Sequence, residues 1–210
     1  MTAVSPPPTA GASPRRNRND VVHAAGRLFA ERGFHGTSMR DLGEAMGLLG
    51  SSLYAHIGSK NELLVEVIAS GAERFSALAH TVISSGATPA EGLRQLVAGH
   101  VRILTENADH AATFLNEARH LEPDQRAQVL AWRDSYEAAY RATLARGVAS
   151  GDFRPDLDPA RTATFVLSLL NGVQRWYRPD GPDSADTIVA QLHHFIERAV
   201  AAPEDARAHL

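Results

Sequence analysis

Three groups of side chains in this 210-residue chain have the types and spacing to do chemistry. Glu117 and His120 stand three residues apart on a helical stretch, which puts a carboxylate and an imidazole on one face. That is half of a carboxylate-bridged di-iron site, and the second Glu-x-x-His that such a site requires is not in the sequence. His193 and His194 are chain neighbours, so on a helix their side chains diverge by about 100° and do not readily share a metal. Arg175-Trp176-Tyr177-Arg178 is the third group, pairing arginines suited to phosphates with an indole suited to stacking on a nucleobase. The chain has no cysteine, which excludes disulfides, thiolate metal sites and cysteine nucleophiles. It also has no Gly-rich phosphate loop and no Gly-x-Ser-x-Gly elbow. The pattern points away from an enzyme and from a resident cofactor or metal. The alternative to be weighed is a helical-bundle enzyme or metal-binding protein built on Glu117, His120 and the other histidines.

The elements that position these residues are helices. From Asn19 to Arg32, Val22, Ala25, Leu28 and Phe29 recur at spacings of three and four, the period of an amphipathic helix, and Gly33 ends it. Thr37 offers a hydroxyl cap to a short helix carrying Met39, Leu42 and Met46, which Gly47 closes. A third short helix is expected over 51–57, broken by Gly58. Ser59-Lys60-Asn61-Glu62 has the form of a capping box and launches a long helix striped with Leu64, Ile68, Phe75, Leu78 and Val82. Helices then follow from Pro89 to Glu106, around Phe114 and Leu115, from Pro123 past Leu144, from Asp158-Pro159 to Tyr177, and from Ser184 past Phe195. No segment alternates like a strand. The fold class is all-α, with about nine helices.

Apolar residues make up 44% of the chain, enough for a packed core, and net charge is −3. The charge is uneven: residues 1–62 carry seven basic and five acidic side chains, including Lys60, the only lysine. No apolar run reaches the ~18 residues of a membrane span. Residues 1–14 are rich in Pro, Ala and Ser and lack the apolar core of a secretory signal, so a cytoplasmic protein is expected.

The run from Ala24 through Leu28-Phe29-Ala30-Glu31-Arg32-Gly33-Phe34, Gly36-Thr37-Ser38-Met39-Arg40-Asp41-Leu42, Gly47-Leu48, Leu53-Tyr54, His56 and Gly58-Ser59-Lys60 to Glu62-Leu63-Leu64 closely resembles the DNA-binding region of the TetR family. The resemblance implies an N-terminal three-helix helix-turn-helix domain followed by a helical bundle for ligand binding and dimerisation. The corresponding division is a disordered arm over 1–14, a DNA-binding domain over 15–62, a ligand and dimer domain over 63–202, and a flexible tail over 203–210. It further implies that Thr37, Ser38, Arg40, Ser51, Ser52, Tyr54, His56 and Lys60 contact DNA, the recognition helix entering the major groove and Lys60 meeting phosphate at a helix start. Two departures stand out: Leu49 replaces the usual Ser or Thr, and Ile57 the usual aromatic.

Leu48 to Tyr54 and Leu170 to Gly181 are similar to the branch of the family that controls fatty-acid, aromatic-acid and steroid catabolism in response to acyl-CoA thioesters. On that likeness the effector site would use Trp132, Tyr136, Phe165, Arg175, Trp176 and Arg178. The helix from Asp158 to Tyr177 is apolar on more than one face, and the last helix has a strong stripe, so both are expected to form a homodimer seam through Phe165, Leu169, Val173, Leu192 and Phe195. The expected function is a repressor that binds double-stranded operator DNA as a dimer and is released by a small-molecule effector.

Overall fold

Asn17 begins the first helix because its side chain and that of Asp20 satisfy each other's backbone amides, Asp20 N to Asn17 Oδ1 at 3.0 Å and Asn17 N to Asp20 Oδ2 at 2.7 Å. This is α1, Arg18–Arg32. The computed structural model describes residues 17–47 and 57–202. Gly33 leaves α1 at φ 73° and Gly47 leaves the second helix at φ 63°, both backbone conformations that favour glycine. That second helix, α2, spans Met39–Met46. Its cap is Ser38 rather than the expected Thr37: the Ser38 hydroxyl accepts from Asp41 N at 3.1 Å. Thr37 is buried, and its hydroxyl donates to the carbonyls of Leu28 and Gly33 at the end of α1.

Ser59 caps α3, Lys60–Ser84, by accepting from Glu62 N at 3.1 Å. Thr88 with Pro89 opens α4, Pro89–Glu106, the proline standing where a helical amide would have no partner. The remaining helices are α5, Ala108–Asn116, which runs into a 3-10 turn over Glu117–His120; α6, Pro123–Ser150; α7, Pro159–Trp176, capped by Asp158; and α8, Ala185–Val200, capped by Ser184. The described residues thus hold eight α-helices and no strand, only an isolated bridge between Phe153 and Ala201. The third short helix expected over 51–57 lies outside the described residues, save for buried Ile57.

Helix α3 belongs to both halves of the molecule. Its first turns bury Leu63, Leu64, Val67 and Ile68 where α1 packs, and its later turns carry Phe75, Ala79 and Val82 into the bundle with α4, α5 and α6. Each large apolar side chain so buried contributes about 1.5–3 kcal/mol. Helix α5 lies against both α1 and α3, α7 packs on α6 and α4, and α8 packs on α4. One hydrophobic cluster therefore runs from Val21 to Val200. No helix of the described residues is long and apolar enough to cross a membrane.

Candidate nucleic-acid interface and effector cavity

In the head formed by α1, α2 and the start of α3, the expected DNA contacts sit in three situations. Ser38 and Arg40 are exposed at the start of α2, Arg40 in an i,i+4 pair with Glu44 at 2.8 Å. Thr37 is turned inward, so its side chain shapes the turn instead of offering a hydroxyl to phosphate. Lys60 folds back over the loop between α1 and α2. Its ammonium donates to the carbonyls of Phe34 at 2.9 Å and Thr37 at 2.8 Å, and lies 4.2 Å from the centroid of the Phe34 ring. Two of its three N–H donors are thereby engaged, and one is left for a phosphate. Ser51, Ser52, Tyr54 and His56 lie outside the described residues.

Phe34 also ties the head to the body. Its backbone N–H donates 3.0 Å to Glu117 Oε2, and its ring stacks on His120 at 5.7 Å. The Glu117–His120 pair noticed in the sequence therefore has a task at this joint, with Glu117 Oε2 3.5 Å from His120 Nε2. No group of three His, Asp or Glu among the described residues is placed to hold a metal. A second link is His23 Nδ1 to His110 Nε2 at 3.0 Å, joining α1 to α5. Burial first, then the neighbouring His23 and Arg74, hold His110 below its usual pKa. Sequence reasoning passed over Phe34, His110 and Glu117 as joint residues because their partners are far away in the chain.

The body contains a cavity of about 570 Å³ between α3, α4, α5, α6 and α7. Phe75, Phe114, Leu115, Leu167 and Tyr136 give it apolar walls; His100 and Tyr136 lie at its buried end, and Arg133 and Arg175 also line it. Arg133 donates to the carbonyls of Phe114 and Leu115, the latter at 3.0 Å, and so closes the C-terminal end of α5. Burial pushes its pKa down from the ordinary arginine value. Burial also pushes the His100 imidazole down to about 3 and the Tyr136 phenol up.

Of the six expected effector residues, Tyr136 and Arg175 line this cavity. Trp132 packs against the core without reaching it, and Arg178 is exposed past the end of α7. Phe165 and Trp176 point the other way, because successive helical residues turn by about 100° and Trp176 returns to within about 20° of Phe165 after eleven steps. With Phe165 69% exposed, Phe195 64% and Trp176 54%, they join Leu169 and Leu192 along a pair of shallow grooves between α7 and α8. Val173 does not belong to that face. It is 0% exposed in the core of the protomer, each four-residue step from Phe165 through Leu169 having carried the side chain about 40° further round the helix.

The matches to known families agree with this geometry. Residues 21–67 match the family described as bacterial regulatory proteins, tetR family, and residues 86–200 match the tetracyclin repressor-like C-terminal domain. The chain belongs to the TetR family. Among its relatives is the HTH-type transcriptional repressor KstR2 of Rhodococcus jostii strain RHA1, 29% identical over 96% of this chain and 100% of that protein. The crystal structure of the TetR family transcriptional regulator PfmR from Thermus thermophilus is 37% identical, covering 85% of this chain and 97% of that one, with a TM-score of 0.78. The structure of AibR in complex with isovaleryl coenzyme A and operator DNA, 24% identical over 85% of this chain and 96% of that one, shares the fold with a TM-score of 0.78. As a TetR protein the chain is a DNA-binding transcriptional regulator: the helix-turn-helix head meets DNA, and the helical body carries the ligand domain.

Proposed function

We propose that this protein is a cytoplasmic, homodimeric repressor that leaves a palindromic operator when an acyl-CoA thioester fills the body cavity. The observation that carries the reading is the cavity's place. Arg133, in its wall, holds the last carbonyls of α5, and the turn that follows α5 carries the Glu117 carboxylate to Phe34 of the head. A ligand that drew Arg133 or pressed on Phe114 would act on the head through one continuous segment. The volume is that of a small-molecule site, roughly 300–1,000 Å³. The acyl group would lie inside against Phe75, Phe114 and Leu167, each buried CH₂ contributing ~0.8 kcal/mol, with the anionic head group outside at Arg175. In this reading the head takes residues 15–62 and the body 63–202, with Ser38, Arg40, Ser51, Ser52, Tyr54, His56 and Lys60 meeting DNA. The exposed face of Phe165, Leu169, Trp176, Leu192 and Phe195 supports the dimer, since an apolar surface of this kind at the end of a bundle calls for a covering partner.

Calorimetry with octanoyl-CoA, free CoA and octanoate tests the effector. The thioester should bind well and each half weakly, and Arg175→Ala should weaken the thioester most. Equal affinity for acid and thioester would sink the CoA assignment and leave the DNA-binding one standing. For the dimer, Phe195→Glu puts a charge into the seam and should give monomers in sedimentation, with operator binding lost. A variant that remains a dimer would place the interface elsewhere.

A further inference from the structure

Head and body meet through two pairs of histidines, one ring of each pair from either side. His23 of α1 faces His110 of α5, with Nδ1 3.0 Å from Nε2 and the ring centroids 4.8 Å apart. His35, in the loop after α1, meets His120 of the 3-10 turn edge to face, the centroids 4.4 Å apart. None of the four rings lines the body cavity. Both contacts resist protonation. A single hydrogen lies between His23 Nδ1 and His110 Nε2, whichever ring supplies it, so the bond survives one added proton and not two. At His120 the Arg119 Nε–H donates to Nε2 at 3.0 Å, and an arginine never accepts, so that nitrogen carries no hydrogen. A proton there displaces Arg119 and turns an N–H toward Glu117 Oε2, 3.5 Å away. The same oxygen holds the Phe34 amide at 3.0 Å, so a charged His120 competes with the head for Glu117.

The charges around the pairs act mostly in the same direction. Besides His23, His110 faces Arg74 of α3, opposed by the Val67 carbonyl of α3 and by Asp109 of its own helix. Beside His23, Glu66, Glu73 and Arg74 line a cleft between α1 and α3, with Glu66 already paired to Arg18. His120 faces Glu117 on its own turn, set against His35 of the loop, Arg119, and Lys60 of α3. Arg126 of α6 is turned to the Arg119 carbonyl at 3.1 Å. Burial is the largest cause at both rings, and it holds both imidazoles below their usual pKa.

We propose that this joint is an acid-opened latch: protonation of His110 and His120 releases α5 and the turn after it from α1 and the loop that follows, while the head keeps its own packing on the start of α3. The latch works whichever ligand fills the cavity. In the open form His110 and His120 titrate as ordinary imidazoles near pH 6.5, so opening takes up a proton at each pair once the pH falls below that value. At pH 5.5 one such proton favours the open form about tenfold more than at pH 7.5. A head so released no longer follows a displacement of α5, and acid thereby frees DNA binding from control by the body.

The test is amide hydrogen exchange of the full-length protein at pH 7.5 and pH 5.5, each rate divided by the intrinsic rate at the same pH. In the wild type, protection over residues 18–32 and 108–120 should fall about tenfold further than over 159–176, the helix α7 away from the joint. Acid loss through His100 belongs to the core and is carried by all three segments, so the difference between them isolates the joint. In His110→Gln/His120→Gln, whose amides bond without titrating, the extra fall should vanish. Should that variant be loosened already at pH 7.5, His23→Gln/His35→Gln decides. It keeps both body rings and removes the charge each would face, so by ring-proton NMR His110 and His120 should titrate at higher pH than in the wild type. An equal fall in all three segments, or no fall, would overturn the latch. So would an extra fall that persists without His110 and His120, or body rings whose titration ignores the loss of His23 and His35.

Discussion

The head and the body treat their polar groups in opposite ways. In the head, Thr37, Ser38, Arg40 and Lys60 all find partners within the chain, and Lys60 alone closes two carbonyls. In the body, Arg133 Nε and Gln174 Oε1 are buried around one cavity with no hydrogen-bond partner among the described residues. A surface that meets DNA is wet when free, so its groups can be held by internal bonds and still exchange them for phosphates. The cavity wall, by contrast, leaves polar groups inside the bundle that no internal bond engages. The described part of the head is therefore organised before it meets DNA.

Lys60→Met tests the first half of this contrast and should have the largest effect. Removing the ammonium leaves the Phe34 and Thr37 carbonyls without their donor, at a cost of about 2 kcal/mol in stability. DNA affinity should fall for operator and random sequence alike, with the salt dependence flattened by at most about one phosphate. Unchanged thermal stability would mean that the lysine serves DNA alone.

Acid sharpens the second half. His100 is held neutral in the fold at a pKa of about 3, against about 6.5 in the unfolded chain, so the unfolded chain protonates first as pH falls. The stability that depends on the neutral ring is complete above pH 6.5 and is lost toward pH 3, at about 1.4 kcal/mol per unit, or about 2 kcal/mol by pH 5. Melting at pH 7.5 and pH 5 should show the drop in wild type and a smaller one in His100→Leu. His110, also depressed, contributes in the same direction to both proteins.

Glu117→Gln exchanges an ionised acceptor for a neutral one at the Phe34 amide, and the effect should be about 1 kcal/mol. Effector affinity of the DNA-free protein should hold, while the factor by which effector weakens operator binding changes about fivefold. An unchanged factor would remove this contact from the line between cavity and head. Least of all, Arg40→Ala should leave melting unaltered, since its pair with Glu44 is exposed, and should weaken DNA binding mainly at low salt.

Much of this architecture is readable in the sequence because helix ends announce themselves locally. Thr88-Pro89, Asp158-Pro159 and Ser184 cap where capping chemistry says they should, and the stripes through Leu64, Ile68 and Leu96 are buried as their period requires. The apolar outer face of α7 is equally legible in Phe165 and Leu169. Fine assignment around the helix is not. A helix read as apolar on more than one face put Val173 on the seam, and adjacency put Arg175 with Trp176, whereas the accumulated rotation sends Val173 to the core and Arg175 to the cavity. Thr37 and Ser38 both offer a capping hydroxyl, and only the contacts of Thr37 with the end of α1 decide between them. The wall of His100, Asn171 and Gln174 draws on two helices distant in sequence, and no local pattern ties them together.

Helix α5 lies against α1 and α3 at two glycines. A β-carbon on Gly26 would come to 3.0 Å from the His110 ring, and one on Gly71 to 2.8 Å from the His110 carbonyl and 2.9 Å from Phe114. The ring is held by His23 at 3.0 Å, and the carbonyl moves only if the whole helix does. Alanine at Gly71 would therefore shift the segment between cavity and head, Phe114 of the cavity wall included. Since one nucleotide change converts any glycine codon to an alanine codon, a genetic screen for cells whose target genes no longer answer to the effector should recover Gly71 repeatedly. Such alleles would map about a third of the way along the gene, beyond the part that encodes the DNA-binding head.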